Sequence, residues 1–273
     1  MKTKNYLSLF LFTILGILLL WIINHSIETA DFQKDVFSIR EISVFETNYL
    51  YFIHHVLCFF PVLLLSVSNL FFPSRFHFIR EWIKPIVLGS IIFCSWDIVF
   101  TELGIWAFNK KYVVANRLLG FPIEEILWFP VIGYCSLFVH ALLTKKDSGK
   151  VKLIVGRILI VLFSLLMFIL IALYTDRLYT AFTAWFVLAV IALFLVTKKE
   201  QELNKISTSF IVILAPMILA DGLLTGLFSM EPVVLYNPME FSEIRLLSIP
   251  IEDFAFGYAF LSVIVWLKTL INN

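Results

Sequence analysis

Charge is scarce in this chain. Only 15% of its 273 residues are charged, and 21 basic residues balance 20 acidic ones to a net charge of +1. Such a balance gives no hint of nucleic-acid binding, and none is expected. The three cysteines, Cys58, Cys94 and Cys135, lie singly in apolar runs and read as packing residues. Five histidines form no H-x-x-x-H pair, and the adjacent His54 and His55 face different sides of a helix, so no metal site is expected. No G-x-G-x-x-G occurs among the ten glycines, so no Rossmann-bound flavin or nicotinamide, and no cofactor of any kind, is expected.

What fills the chain is apolar. Hydrophobic residues make up 60% of it and aromatic ones 16%, whereas a soluble domain is nearer half apolar. This composition predicts an all-α polytopic membrane protein of about eight transmembrane helices. The runs are Tyr6 to Ile23, Tyr49 to Phe72, Pro85 to Gly104 and Pro122 to Leu143, then Leu153 to Tyr174, Tyr179 to Val196, Ile206 to Phe228 and Leu246 to Leu267. Pro85 is placed to open the third span. A short basic linker, Lys145 to Lys152, separates two tandem parallel repeats, 1–148 and 149–273, each with four predicted spans. On the side of the two termini fall 14 basic residues and on the other 7. The positive-inside rule then predicts cytoplasmic termini, in a cell membrane of bacterial type.

The repeats are visible in the letters. Asp97 and Thr101 recur as Asp221 and Thr225, each pair four apart. Asn109, Arg117-Leu118-Leu119 and Pro122-Ile123-Glu124-Glu125 recur as Asn237, Arg245-Leu246-Leu247 and Pro250-Ile251-Glu252-Asp253 at identical spacing. Only the piece between Thr and Asn differs, by four residues. The pattern N-x7-R-L-L-x2-P-I-E-[E/D] marks a duplicated unit. Four helices separate the copies, so both run the same way and both motif loops reach one membrane face.

Length sets the depth of the acids. Between Asp253 and Lys268 lie 14 residues, about 21 Å of helix and too short to cross. Leu246 to Ile251 are therefore expected in the membrane too, with Glu252 and Asp253 below the surface. A proline followed by two acids is also a common helix start. Against that reading stand the repetition of the acids and the cost of a carboxylate at a helix centre, ~2.5–3.5 kcal/mol on insertion scales. Carboxyls in an apolar site can deliver and accept protons. Trp96, Trp106, Phe108, Trp128, Phe129, Tyr236, Phe254 and Phe256 around them read either as an interfacial belt or as walls that stabilise developing positive charge. Thr101 and Thr225 can hydrogen-bond their aspartates. Asn109 and Asn237 can bond the acids or cap the loops, and Arg117 and Arg245 can pair with acids or meet lipid head groups.

These motifs resemble the heterodimer-type lycopene cyclases, found as two small membrane subunits or as a fused pair. The resemblance rests on W-D-I-V-F-T at 96–101, G-I-W-A-F-N at 104–109 and P-I-E-E at 122–125. In the second half it rests on D-G-L-L-T at 221–225, Y-N at 236–237 and P-I-E-D at 250–253. It covers roughly 50–143 and 179–268. It implies a lycopene β-cyclase: an intramolecular lyase or isomerase of carotenoid biosynthesis, closing the acyclic ends of lycopene to β-ionone rings without net redox change. The implied partners are lycopene or a related linear carotenoid, membrane lipid and other carotenoid-pathway enzymes. Glu124, Glu125, Glu252 and Asp253 are the expected acid and base, with Asp97 and Asp221 as relay or support. A proton-coupled transporter and a non-catalytic carotenoid- or quinone-binding protein remain alternatives, the first weakened because the acids gather toward one face.

Overall fold

A segment crossing hydrocarbon must satisfy every backbone N–H and C=O internally, and a helix does this with its own residues. The computed structural model describes residues 46–271, apart from 69, 73–75, 115–116, 119–120 and 146–149. Within them, seven helices are long and apolar enough to cross a membrane. They are α1 (Leu50–Val67), α2 (His77–Glu102), α3 (Ile123–Thr144), α4 (Lys150–Leu173), α5 (Leu178–Val196), α6 (Glu200–Leu224) and α7 (Ile251–Ile271). The protein is thus an all-α membrane fold. The first expected span, Tyr6 to Ile23, lies outside the described residues.

Helix ends depart from the expected spans where polar residues prolong a helix or a hairpin interrupts one. α2 begins at His77, so Pro85 sits inside the helix instead of opening it. A proline there forfeits one backbone hydrogen bond, while buried Phe78 and Trp82 anchor the added turns. α6 starts at Glu200 rather than Ile206, with Glu200 and Glu202 in the first turn, where carboxylates favour the positive end of the helix dipole. α7 starts at Ile251, not Leu246, and regains its length at the far end by running on to Ile271. The residues before it form a hairpin that turns Leu246 and Leu247 outward.

Three short antiparallel pairs build a layer over one end of the bundle. β2 (Arg117–Leu118) pairs with β3 (Phe121–Pro122), placing Arg117 opposite Pro122. β5 (Arg245–Leu246) and β6 (Ile249–Pro250) repeat that hairpin 128 positions later, with Arg245 opposite Pro250. The third pair joins the repeats. β1 (Trp106–Phe108) lies against β4 (Val234–Tyr236), with Ala107 opposite Leu235, Trp106 opposite Tyr236 and Phe108 opposite Val234. Ala107 and Leu235 are themselves 128 apart. The pairing is therefore self-complementary, as at a two-fold interface, and a pseudo-two-fold axis passes through it.

Helices α1–α3 and α5–α7 form corresponding triplets, and α4 lies between them in sequence. In space α2 packs on α3 and α7, α5 packs on α7, and α3 on α6, so the repeats interlock. α5 and α7 are the most enclosed spans and α4 the least, with Ile158, Val161, Leu162 and Leu165 facing outward. Small residues bring helices close without a hydrophobic driving force in lipid. At Gly156 on α4, an added Cβ would meet the Asn204 carbonyl oxygen of α6 at 2.7 Å and its Cα at 2.9 Å. Because backbone cannot yield as a side chain does, Gly156→Val should lower stability by about 1–3 kcal/mol. Thermal unfolding in detergent measures this, and an unchanged midpoint would mean that this approach does not hold α4 in place.

Candidate active site

The P-I-E-[E/D] motifs convert a hairpin into a helix. Pro122 is extended (φ −61°, ψ 135°) and the helix begins at the next residue, so both acids fall in its first turn. The backbone N–H groups there lack intrahelical partners, which favours a carboxylate. Neighbouring residues on a helix diverge by about 100°, so the two acids of each motif go separate ways.

The first acid returns to the loop. Glu124 accepts from the Val114 backbone N–H at 2.7 Å through Oε1. Glu252 accepts from the Ser242 N–H at 2.8 Å and from the Thr180 hydroxyl, again through Oε1. Val114 and Ser242 are equivalent positions, so one staple is built twice. Both glutamates are buried, and in each Oε2 has no partner among the described residues.

The second acid meets the aspartate of the preceding helix. Glu125 of α3 and Asp97 of α2 stand within hydrogen-bonding reach of each other, as do Asp253 of α7 and Asp221 of α6. Asp97 and Asp221 each keep Oδ2 without a partner among the described residues. All four carboxyls line a single chamber whose other walls include Trp106, Phe108, Trp128, Phe129, Tyr236 and Phe256.

Phenols hold the second acids. Tyr51 donates to Glu125 and Tyr179 to Asp253 Oδ1, and these tyrosines are again 128 apart. Symmetry then breaks. Tyr236 donates to Asp253 Oδ2 at 2.7 Å, while its counterpart Phe108 has no hydroxyl to offer Glu125. Trp106, whose counterpart is Val234, lines the chamber with Asp97 instead. The Arg245 guanidinium lies over the Tyr236 and Phe241 rings, 5.4 and 4.9 Å from their centroids, whereas Arg117 is exposed. Burial, and next the charge of Asp253, hold the Tyr236 phenol well above its ordinary range. It is a proton donor in its hydrogen bond throughout neutral pH.

The remaining expected residues lie outside the chamber lining. Trp96 stands behind it in the aromatic core, 4.7 Å from the Phe182 ring and 4.8 Å from that of Phe256. Phe254 is half-buried and turned away. The Thr225 hydroxyl donates to the backbone carbonyl of Asp221 at 2.9 Å, not to its carboxyl. Thr101 Oγ1 has no partner among the described residues. The two asparagines stitch the roof across the pseudo-two-fold. Asn109 donates through its backbone to Val233 O (2.8 Å) and through Nδ2 to Pro232 O (3.2 Å). Asn237 does the same to Ile105 O (2.9 Å) and Gly104 O (3.1 Å). Gly104, at φ 73°, supplies the left-handed turn that ends α2 beneath this stitch.

Tyr51 and Tyr179 are absent from the residues expected from sequence. The signal was present: Leu-Tyr at 50–51 recurs at 178–179 with the offset of the acids. It precedes the long motif and has only two letters, so it does not stand out.

A family model described as Lycopene cyclase matches residues 48–143 and again 176–271. Each match contains one helix triplet. A curated protein of Podospora anserina, a bifunctional lycopene cyclase/phytoene synthase, is 30% identical over 71 residues, which is 26% of this chain and 12% of that protein. The chain therefore aligns with only a small part of that relative. No solved structure matches.

Removing one arm of the stitch tests its importance. Asn237→Ala leaves the Gly104 carbonyl and the Met239 N–H without their partner, at a cost of about 1–3 kcal/mol for buried groups. Faster amide exchange in 104–108 and 232–241 is expected, and exchange at the wild-type rate would dismiss the stitch as a closure.

Proposed function

Because the chain belongs to the lycopene cyclase family, a family of carotenoid cyclases, we propose that it closes the acyclic ends of lycopene to β-ionone rings by proton addition and proton removal. The observation that carries the proposal is the two close carboxyl pairs facing one aromatic-walled chamber. A hydrocarbon offers no polar handle, so catalysis must come from a placed proton, stabilisation of a cation and exclusion of water.

In the reaction a carboxyl adds a proton to the terminal double bond, and the next double bond attacks the resulting cation and closes the ring. A carboxylate then removes a ring proton to form the new double bond. One C–H bond is made and one broken, one C–C bond is formed, and no electrons leave. Trp106, Trp128, Phe129 and Phe256 present aromatic surface to the cationic stages, an attraction of ~0.5–2 kcal/mol per ring. The β1–β4 roof keeps out water that would quench the cation.

Two carboxyls sharing a hydrogen bond hold one proton between them. Both Asp253 oxygens already accept from phenols, so the shared proton of that pair resides on Asp221. Once released, its charge is stabilised by Tyr179, Tyr236 and the nearby Arg245. The Asp97–Glu125 pair has Tyr51 as a donor and, among the described residues, no buried arginine beside it. Its anion is the less stabilised and takes up a proton more readily. The second pair therefore donates, the first accepts, and the proton returns across the chamber between turnovers. On this reading Glu124 and Glu252 hold the loops.

Expression in bacteria that make lycopene but lack a cyclase tests the proposal. Lycopene should give way to γ- and β-carotene, and Glu125→Gln or Asp253→Asn should cut conversion by about 10²–10⁴. Unchanged lycopene beside well-inserted protein would sink it.

Tyr236→Phe, which copies Phe108 into the second half, should slow conversion about ten- to a hundredfold, since a hydrogen bond to a charged group contributes ~1.5–3 kcal/mol. A wild-type rate in this variant would refute the assignment of Asp221–Asp253 as the donor pair.

A further inference from the structure

A second cavity lies between α1, α3, α6 and α7 and shares Trp128, Met217 and Asp221 with the acid chamber. From that common wall it extends along α6 from Asp221 to Phe210 and along α3 from Trp128 to Val139. Each stretch spans twelve residues, about 16 Å of helix. Beyond Asp221 at the mouth, its lining is apolar or weakly polar, with Ser136 the single hydroxyl and Cys58 and Cys135 the other heteroatom side chains besides Trp128 and Met217. Beyond Asp221, nothing in its lining carries a charge. Its shape is that of a corridor leading away from the acids.

We propose that this corridor receives the unreacted remainder of the linear polyene, so that one end reacts at a time and a chain with two reactive ends must leave and return reversed. The inference rests on the cyclase reading above. A conjugated chain is straight and stiff, so a reacting end among the acids forces the rest along one line, and the corridor abuts the chamber at Trp128, Met217 and Asp221. The walls match a hydrocarbon in chemistry. Both carboxyl pairs face one space rather than two, so the doubled motif supplies one reaction centre and not one for each end.

Gly257 marks a narrow point, where an added Cβ would come within 3.0 Å of the Met217 methyl. Ser136 lies on the opposite wall. Gly257→Leu and Ser136→Phe should each fill the corridor and leave the carboxyls in place. Purified protein in lipid nanodiscs would be given lycopene, and separately a truncated polyene with the same acyclic end and a short tail. The expected result is at least a tenfold loss on lycopene with the truncated substrate still cyclised, together with free monocyclic product rising before bicyclic product in the wild type. Equal treatment of the two substrates by both variants overturns the corridor, and bicyclic product without a free monocyclic stage overturns the reversal. A wild type inert toward both substrates removes the cyclase reading itself.

Discussion

A carboxyl surrounded by hydrocarbon must be neutralised where it stands, and this structure is arranged around that requirement. Breaking a buried polar pair by removing one member is costly because it strands the other. Four carboxyls gather at one end of the helix bundle, and the second acid of each motif accepts from phenol donors. That demand fixes the positions of Tyr51 and Tyr179, which begin α1 and α5, and of the hairpins that launch α3 and α7. The staples of Glu124 and Glu252 follow from it as well, since they tie the loop to the turn that presents the next acid.

Duplication supplies the scaffold and divergence supplies the chemistry. Hairpin register, asparagine stitch, glutamate staple and tyrosine donor all occur twice at one offset. The differences are concentrated at the chamber: Trp106 against Val234, Phe108 against Tyr236, exposed Arg117 against half-buried Arg245. A symmetric site would hold its protons equally on both sides. On the proposed reading, these three exchanges make the two sides unequal.

Much of this was legible before any coordinates. Apolar runs gave the number of described spans, and the repeated motif announced one face and one cluster of acids. Individual ends were less legible. A proline or a pair of charges is weak punctuation when buried aromatics on the same helix hold it together, as at Pro85. The partition of each acid pair was hidden for another reason. Adjacent letters look equivalent, yet the turn of the helix sends Glu124 to Val114 and Glu125 to Asp97. Thr225 misled by proximity, because a threonine hydroxyl inside a helix finds the carbonyl four residues back before it finds a side chain.

The pairing of β1 with β4 carries an evolutionary consequence. Its register maps each strand onto the other, with Ala107 facing Leu235 at the axis. Such an edge is complementary to a copy of itself. A single ancestral triplet could therefore have met its twin through the same three residues, roofed the same chamber and brought two acid pairs together before any gene was doubled. Fusion then added little to the architecture. It freed the two copies to change separately, which a homodimer encoded by one gene cannot do.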